Sequence, residues 1–179
     1  MSTLATPERR SAAIEVRAKG RRLEGHAALF GVEAQIGTFA ETIRAGAFKA
    51  SLGRDVLALV DHDPHRVLAR TKSGTLRLAE DTRGLAFDLD VPDTTTGRDI
   101  LALAERNDLG GMSFGFAVGP GGDDWQGEKR ELRAVTLYEI SVIQALPAYP
   151  GTIVQARSAV PPAAHRLALA ARYLETLRS

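Results

Sequence analysis

The chain has 179 residues, the length of about one domain, and is 44% hydrophobic and 25% charged, an ordinary soluble composition. Its 23 Lys and Arg balance 22 Asp and Glu to a net +1, which argues against a broad basic face for nucleic acid. It has no cysteine, which excludes disulfides, thiolate catalysis and Cys-based zinc sites. No apolar run approaches the ~20 residues of a membrane helix. The opening MSTLATPERR lacks the apolar region of a secretion signal, so a soluble cytoplasmic protein without membrane contact is expected.

In chain order, residues 1–12 read as a loose N-terminal arm. From residue 13, short extended segments alternate with Gly, Asp and Pro. Strands are predicted at 13–18, 23–30, 38–43, 56–61, 67–72, 75–79, 85–91, 112–118, 130–136 and 137–145, with a further one at 153–156. So many short strands in one domain predict a mainly β fold, a barrel or sandwich, with flanking helices. A short helix is predicted at 45–52, burying Ala47, Phe48 and Leu52. Hydroxyls at Thr94–Thr96 precede a helix at 98–106 with an Ile100, Leu101, Leu103, Ala104 stripe. Pro161 and Pro162 open a C-terminal helix within 158–179, whose Leu167, Ala170, Leu174 and Leu177 share one face. Residues 155–179 carry four Arg and one Glu, a net +3 that suits either packing on the domain or docking on a partner. The expected division is therefore an arm (1–12), a β domain (13–157) and an amphipathic basic helix (158–179).

Without cysteine, a nucleophile must be Ser, Thr, Lys, a carboxylate or a metal-bound water. Ser113 stands in Gly110-Gly111-Met112-Ser113-Phe114-Gly115-Phe116-Ala117-Val118. On a strand, Met112, Phe114, Phe116 and Val118 take one face, and Ser113, Gly115 and Ala117 the other. Such a hydroxyl on a strip of small residues reads as a nucleophile with room for a substrate backbone, or simply as a strand-lining serine. Among the four histidines, His165 lies on the terminal helix and His26 sits mid-strand between Gly25 and Ala27. His62 ends the apolar run Val56-Leu57-Ala58-Leu59-Val60, where a rigid strand hands over to a loop, and is the better candidate base. Asp61-His62-Asp63-Pro64-His65 also offers metal donors, but Pro64 prevents a regular helix from aligning the two histidines. Glu139, inside the apolar Tyr138-Glu139-Ile140-Ser141-Val142-Ile143, needs a partner if buried. His62, Arg130, Arg133 or a backbone donor would serve. The loop Gly119-Pro120-Gly121-Gly122-Asp123-Asp124 reads as a hairpin connection or as a flap over a groove.

Taken in order, Glu41-Thr42-Ile43-Arg44-Ala45-Gly46-Ala47-Phe48, Asp61-His62-Asp63, Gly84-Leu85, Gly111-Met112-Ser113-Phe114-Gly115-Phe116, Leu137-Tyr138-Glu139-Ile140-Ser141 and Pro147-Ala148-Tyr149-Pro150-Gly151-Thr152 resemble the prohead (capsid maturation) protease family of HK97-type tailed phages and their prophage and gene-transfer-agent relatives. The resemblance spans residues 23–157. It implies a serine endopeptidase on a herpesvirus-assemblin-like β-barrel, with Ser113 as nucleophile, His62 as general base and Glu139 as the third member. It implies no cofactor and no metal. The implied substrate is the scaffolding segment of the major capsid protein, or a separate scaffold, cut inside the procapsid in the host cytoplasm. Self-cleavage is implied as well, and homo-oligomers are compatible with it. Family members often extend further at the C-terminus, so the basic helix becomes the candidate targeting element here. The alternative is a non-enzymatic capsid-assembly or scaffold-binding barrel in which Ser113, His62 and Glu139 never converge.

Overall fold

The computed structural model describes residues 7–13 and 16–145. The strands are β1 (Glu8–Ala12), β2 (Val16–Lys19), β3 (Arg22–Leu29), β4 (Ala34–Ile36), β5 (Phe39–Ile43), β6 (Leu57–Val60), β7 (Asp63–Arg70), β8 (Leu76–Glu80), β9 (Gly84–Asp90), β10 (Gly111–Val118), β11 (Asp123–Gln126), β12 (Lys129–Leu132) and β13 (Val135–Ile143). One α-helix, α1 (Thr95–Glu105), lies between β9 and β10. The fold is mainly β, as expected. Among the described residues, however, the strands form three sheets and not one closed barrel. A five-stranded sheet runs β1-β10-β13-β6-β7, a four-stranded sheet β11-β12-β5-β4, and another β2-β3-β9-β8. β3 and β10 approach each other as interior strands, each already flanked by two paired neighbours, so their contact joins two sheets without closing a barrel. The expected terminal helix at 158–179, the strand at 153–156 and His165 lie outside the described residues.

Several local readings change, among them two that bear on the site. Glu8–Ala12, placed in the loose arm by composition, form β1 and pair antiparallel with β10. Polar residues dominate that stretch, but an edge strand needs only backbone pairing, which composition does not reveal. The short helix at 45–52 reduces to one 3₁₀ turn, Lys49–Ser51. Ser51 Oγ donates to Val135 O (2.7 Å) and accepts from Leu137 N (2.9 Å), tying the turn to β13. Helix α1 forms as its sequence dictates: Thr94 Oγ1 caps it by accepting from Gly97 N at 3.1 Å, and Ile100, Leu101 and Ala104 are buried. No helix of the described residues is long and apolar enough to cross a membrane.

The core gathers apolar residues from all three sheets and α1. Phe48 is fully buried where they meet, edge-on to Phe114 at 5.5 Å between ring centroids and stacked with Phe30 at 6.3 Å. Phe48→Ala should cost about 3–5 kcal/mol, since it removes a fully buried ring packed against Phe30 and Phe114. Urea titration of the two proteins measures it, and a loss below about 1 kcal/mol would contradict this packing.

Candidate active site

Period-2 alternation puts Met112, Phe114 and Phe116 of β10 into the core and leaves Ser113 and Gly115 on the other face. The register sets Ser113 opposite Ser141 and Gly115 opposite Glu139. It then slips, pairing Phe116 with Leu137, so Tyr138 is the extra residue of a bulge. That slip lets Leu137 point into the core although it stands two residues before Glu139. Parallel pairing of β13 with β6 brings Ser141 beside Leu59 and Val142 beside Val60. The end of β6 is thus delivered next to the Ser113 and Glu139 face.

Immediately after β6 the chain takes two left-handed residues, Asp61 (φ 49°) and His62 (φ 61°). Left-handed backbone is costly for a non-glycine residue and persists only where surrounding bonds enforce it. Here Asp61 N donates to Val142 O (3.0 Å), while Asp61 Oδ1 accepts from Gln144 N (2.9 Å). His62 N donates to Ser141 Oγ (3.2 Å). The turn swings the imidazole back over β13, where Nδ1 meets Glu139 Oε1 at 2.6 Å. Ser141 Oγ donates to the other carboxylate oxygen, Oε2, at 2.6 Å. Glu139 therefore finds its partners in His62 and Ser141. The other candidates are engaged elsewhere: Arg130 bonds Glu8, Glu41 and Asp123, and Arg133 bonds Glu131 and Asp124.

Gly115 is the floor under this pair. A Cβ there would overlap Glu139 Oε1 and lie only 3.0 Å from Glu139 Cδ. Gly115, one of the small residues flanking Ser113, makes room for the carboxylate. Ser141 is the residue that sequence reading missed. Its signal was its place two residues beyond Glu139 on one strand face.

Ser113 is fully buried, and its hydroxyl donates to Arg10 O of β1 at 2.7 Å. His62 Nε2 is buried without a hydrogen-bond partner among the described residues. The remaining candidates separate cleanly. His65 is exposed on β7, its backbone N bonded to Asp63 Oδ1, and among the described residues no group of three His, Asp or Glu is arranged to hold a metal. His26 Nε2 pairs with Asp81 Oδ2 at 2.8 Å, a structural contact between β3 and the turn before β9 that helps hold the Asp81 carboxyl at about 2. The segment read as a 119–124 loop is a tight turn at 119–122, with Gly122 N bonded to Gly119 O, and Asp123 and Asp124 already belong to β11, which lies in a different sheet from β10.

A serine on a strand, a histidine bonded through Nδ1 to a carboxylate, and a free Nε2 are the parts from which serine peptidases are built. The chain belongs to the caudovirus prohead serine protease family, whose model matches residues 9–164. Searches of curated proteins and of solved structures find no match.

Proposed function

We propose that this chain is the serine endopeptidase that matures a tailed-phage procapsid. It cuts the scaffolding segment of the major capsid protein, or a separate scaffold, and also cuts itself. Ser113 is the nucleophile, His62 the general base, and Glu139 the group that orients the imidazole and stabilises its charged form. The observation that carries this reading is the His62 Nδ1–Glu139 Oε1 bond of 2.6 Å, which leaves Nε2, without a hydrogen-bond partner among the described residues, to act as the base. Family membership supplies the reaction class and points to a capsid-protein substrate inside the procapsid, in the host cytoplasm. The assemblin-like relation implied by the motifs belongs to this proposal, and homo-oligomers are compatible with it.

In the proposed cycle, the Ser113 proton passes to His62 Nε2 as Oγ attacks the scissile carbonyl. The imidazolium, held by Glu139, protonates the departing amine. Water then adds to the acyl-enzyme by the same route and frees Ser113. Ser141 takes no proton in this scheme. It holds the second carboxylate oxygen, so that Glu139 keeps Oε1 on the histidine.

The test separates serine from metal chemistry. His62→Ala should lower capsid-protein cleavage by at least about a thousandfold. His65→Ala and added chelator should leave it within about twofold, because a solvated imidazole outside the site contributes little. Loss of activity with chelator, or equal losses from the two histidine variants, would reject the serine reading.

A further inference from the structure

The sheet edge beside Ser113 is already taken. β1 pairs along β10 with Ser11 opposite Ser113 and Arg10 opposite Phe114, and the Ser113 hydroxyl bonds the Arg10 carbonyl. An extended peptide entering a site beside a strand edge does so by adding itself as a strand. β1 occupies that position with its own backbone.

Its side chains on the far face enter a site of complementary charge. Arg10 Nε and Nη2 reach both oxygens of Glu41 at 2.6 and 2.8 Å, and Glu41 is only 3% exposed. Two residues earlier, Glu8 accepts from Arg130 Nη1 at 2.7 Å and Nη2 at 3.0 Å. Burial alone would raise the Glu8 carboxyl, but bonds from Arg130 and Arg10 overcome it and hold it below its ordinary value. Outside β1, and among the described residues, the Glu41 carboxylate keeps one bond, from Arg130 at 3.1 Å, and Arg130 is further held by Asp123 at 2.8 Å. A bidentate guanidinium–carboxylate pair this deep is selective, since leaving either charge buried alone is costly.

We infer that β1 stands in the place of the substrate strand, and that Glu41 and Arg130 select the segment that replaces it. Glu41 takes a basic side chain on the residue whose carbonyl faces Ser113, and Arg130 takes an acidic one two positions before it. The preferred substrate is an extended Glu-x-Arg segment ending in a small residue, as in Glu8-Arg9-Arg10-Ser11. While β1 is seated, the Ser113 proton points at Arg10 and not at His62, and the chain stays inactive until substrate displaces β1. This inference rests on the protease reading.

The test uses a fluorescein-labelled peptide of residues 5–13, ATPERRSAA, beside versions with alanine at the counterpart of Arg10 or of Glu8. Binding is read by anisotropy on the full chain carrying Ser113→Ala and Arg10→Ala, in which Glu41 retains Arg130. Turnover of the same peptides is read on the chain with Ser113 intact, with and without Arg10→Ala. The Arg-to-Ala peptide should bind at least about tenfold more weakly, and Glu41→Gln should erase that difference. Arg10→Ala should raise turnover about tenfold by loosening β1. The peptide comparison on the unaltered chain stands even if Arg10→Ala does not fold. Turnover without preference among the peptides overturns the inference and leaves the protease reading intact. Selective binding with no turnover by any chain that keeps Ser113 upholds the strand site and overturns the protease reading. Absence of both binding and turnover overturns both readings.

Discussion

Glu139→Gln should slow capsid-protein cleavage by about three to four orders of magnitude with the fold intact. Glu139 accepts at both oxygens, from His62 Nδ1 and from Ser141 Oγ. Glutamine offers one acceptor and one NH₂. If its NH₂ faces His62, it must donate to Nδ1, which places the imidazole proton on Nε2 and removes the lone pair that the proposed cycle uses. If the amide is turned round, the Ser141 hydroxyl loses its acceptor, and the imidazolium still lacks a neighbouring negative charge. Both orientations impair the base, and neither changes side-chain volume. The cleavage rate at saturating enzyme, compared with a urea titration of the same variant, checks both halves. A rate within about tenfold of wild type would remove Glu139 from the proposed triad.

Gly115→Ala should lower activity by about a hundredfold and cost about 1–3 kcal/mol of stability. The added methyl meets a carboxylate fixed at both oxygens, so Glu139 must move, and His62 must move with it. The neighbouring Ala117 faces the same way on β10, yet it lies across from Thr136 and away from the pair. Ala117→Gly should therefore leave the ratio of activity to folded protein unchanged. Steady-state cleavage kinetics with both variants measure the contrast. Equal effects would mean that the small residues of β10 serve the strand in general and not the carboxylate.

Much of this arrangement was legible in the sequence, for identifiable reasons. Strands such as β9 and β10 carry strong apolar alternation between turn residues, and α1 announces itself through Thr94 and its stripe. His62 was legible because the apolar run before it stops abruptly, and Glu139 because a carboxylate among Ile, Val and Tyr demands a partner. Which partner it took was not legible, since Arg130, Arg133 and His62 were equal in kind. That choice depends on the parallel β13–β6 register and on two left-handed residues, neither of which leaves a local pattern. β1 was illegible for the opposite reason. Its Glu-Arg-Arg-Ser residues look solvated, and only the distant Glu41 and Arg130 give those charges a buried home. The sheets likewise hide their edges from composition, so one barrel and three sheets read alike.

The most direct test of the central claim is co-expression of this chain with the major capsid protein of its own particle, comparing wild type with Ser113→Ala, with intact-mass spectrometry of the assembled shells. Removing Ser113 Oγ deletes the proposed attacking atom and, among the described residues, one hydrogen bond, to Arg10, so the variant should fold and assemble as before. A capsid protein shortened at one site with wild type, and full-length with Ser113→Ala, is the predicted result. Assembled shells holding full-length capsid protein and scaffold in both cases, or the same shortening in both, would contradict it.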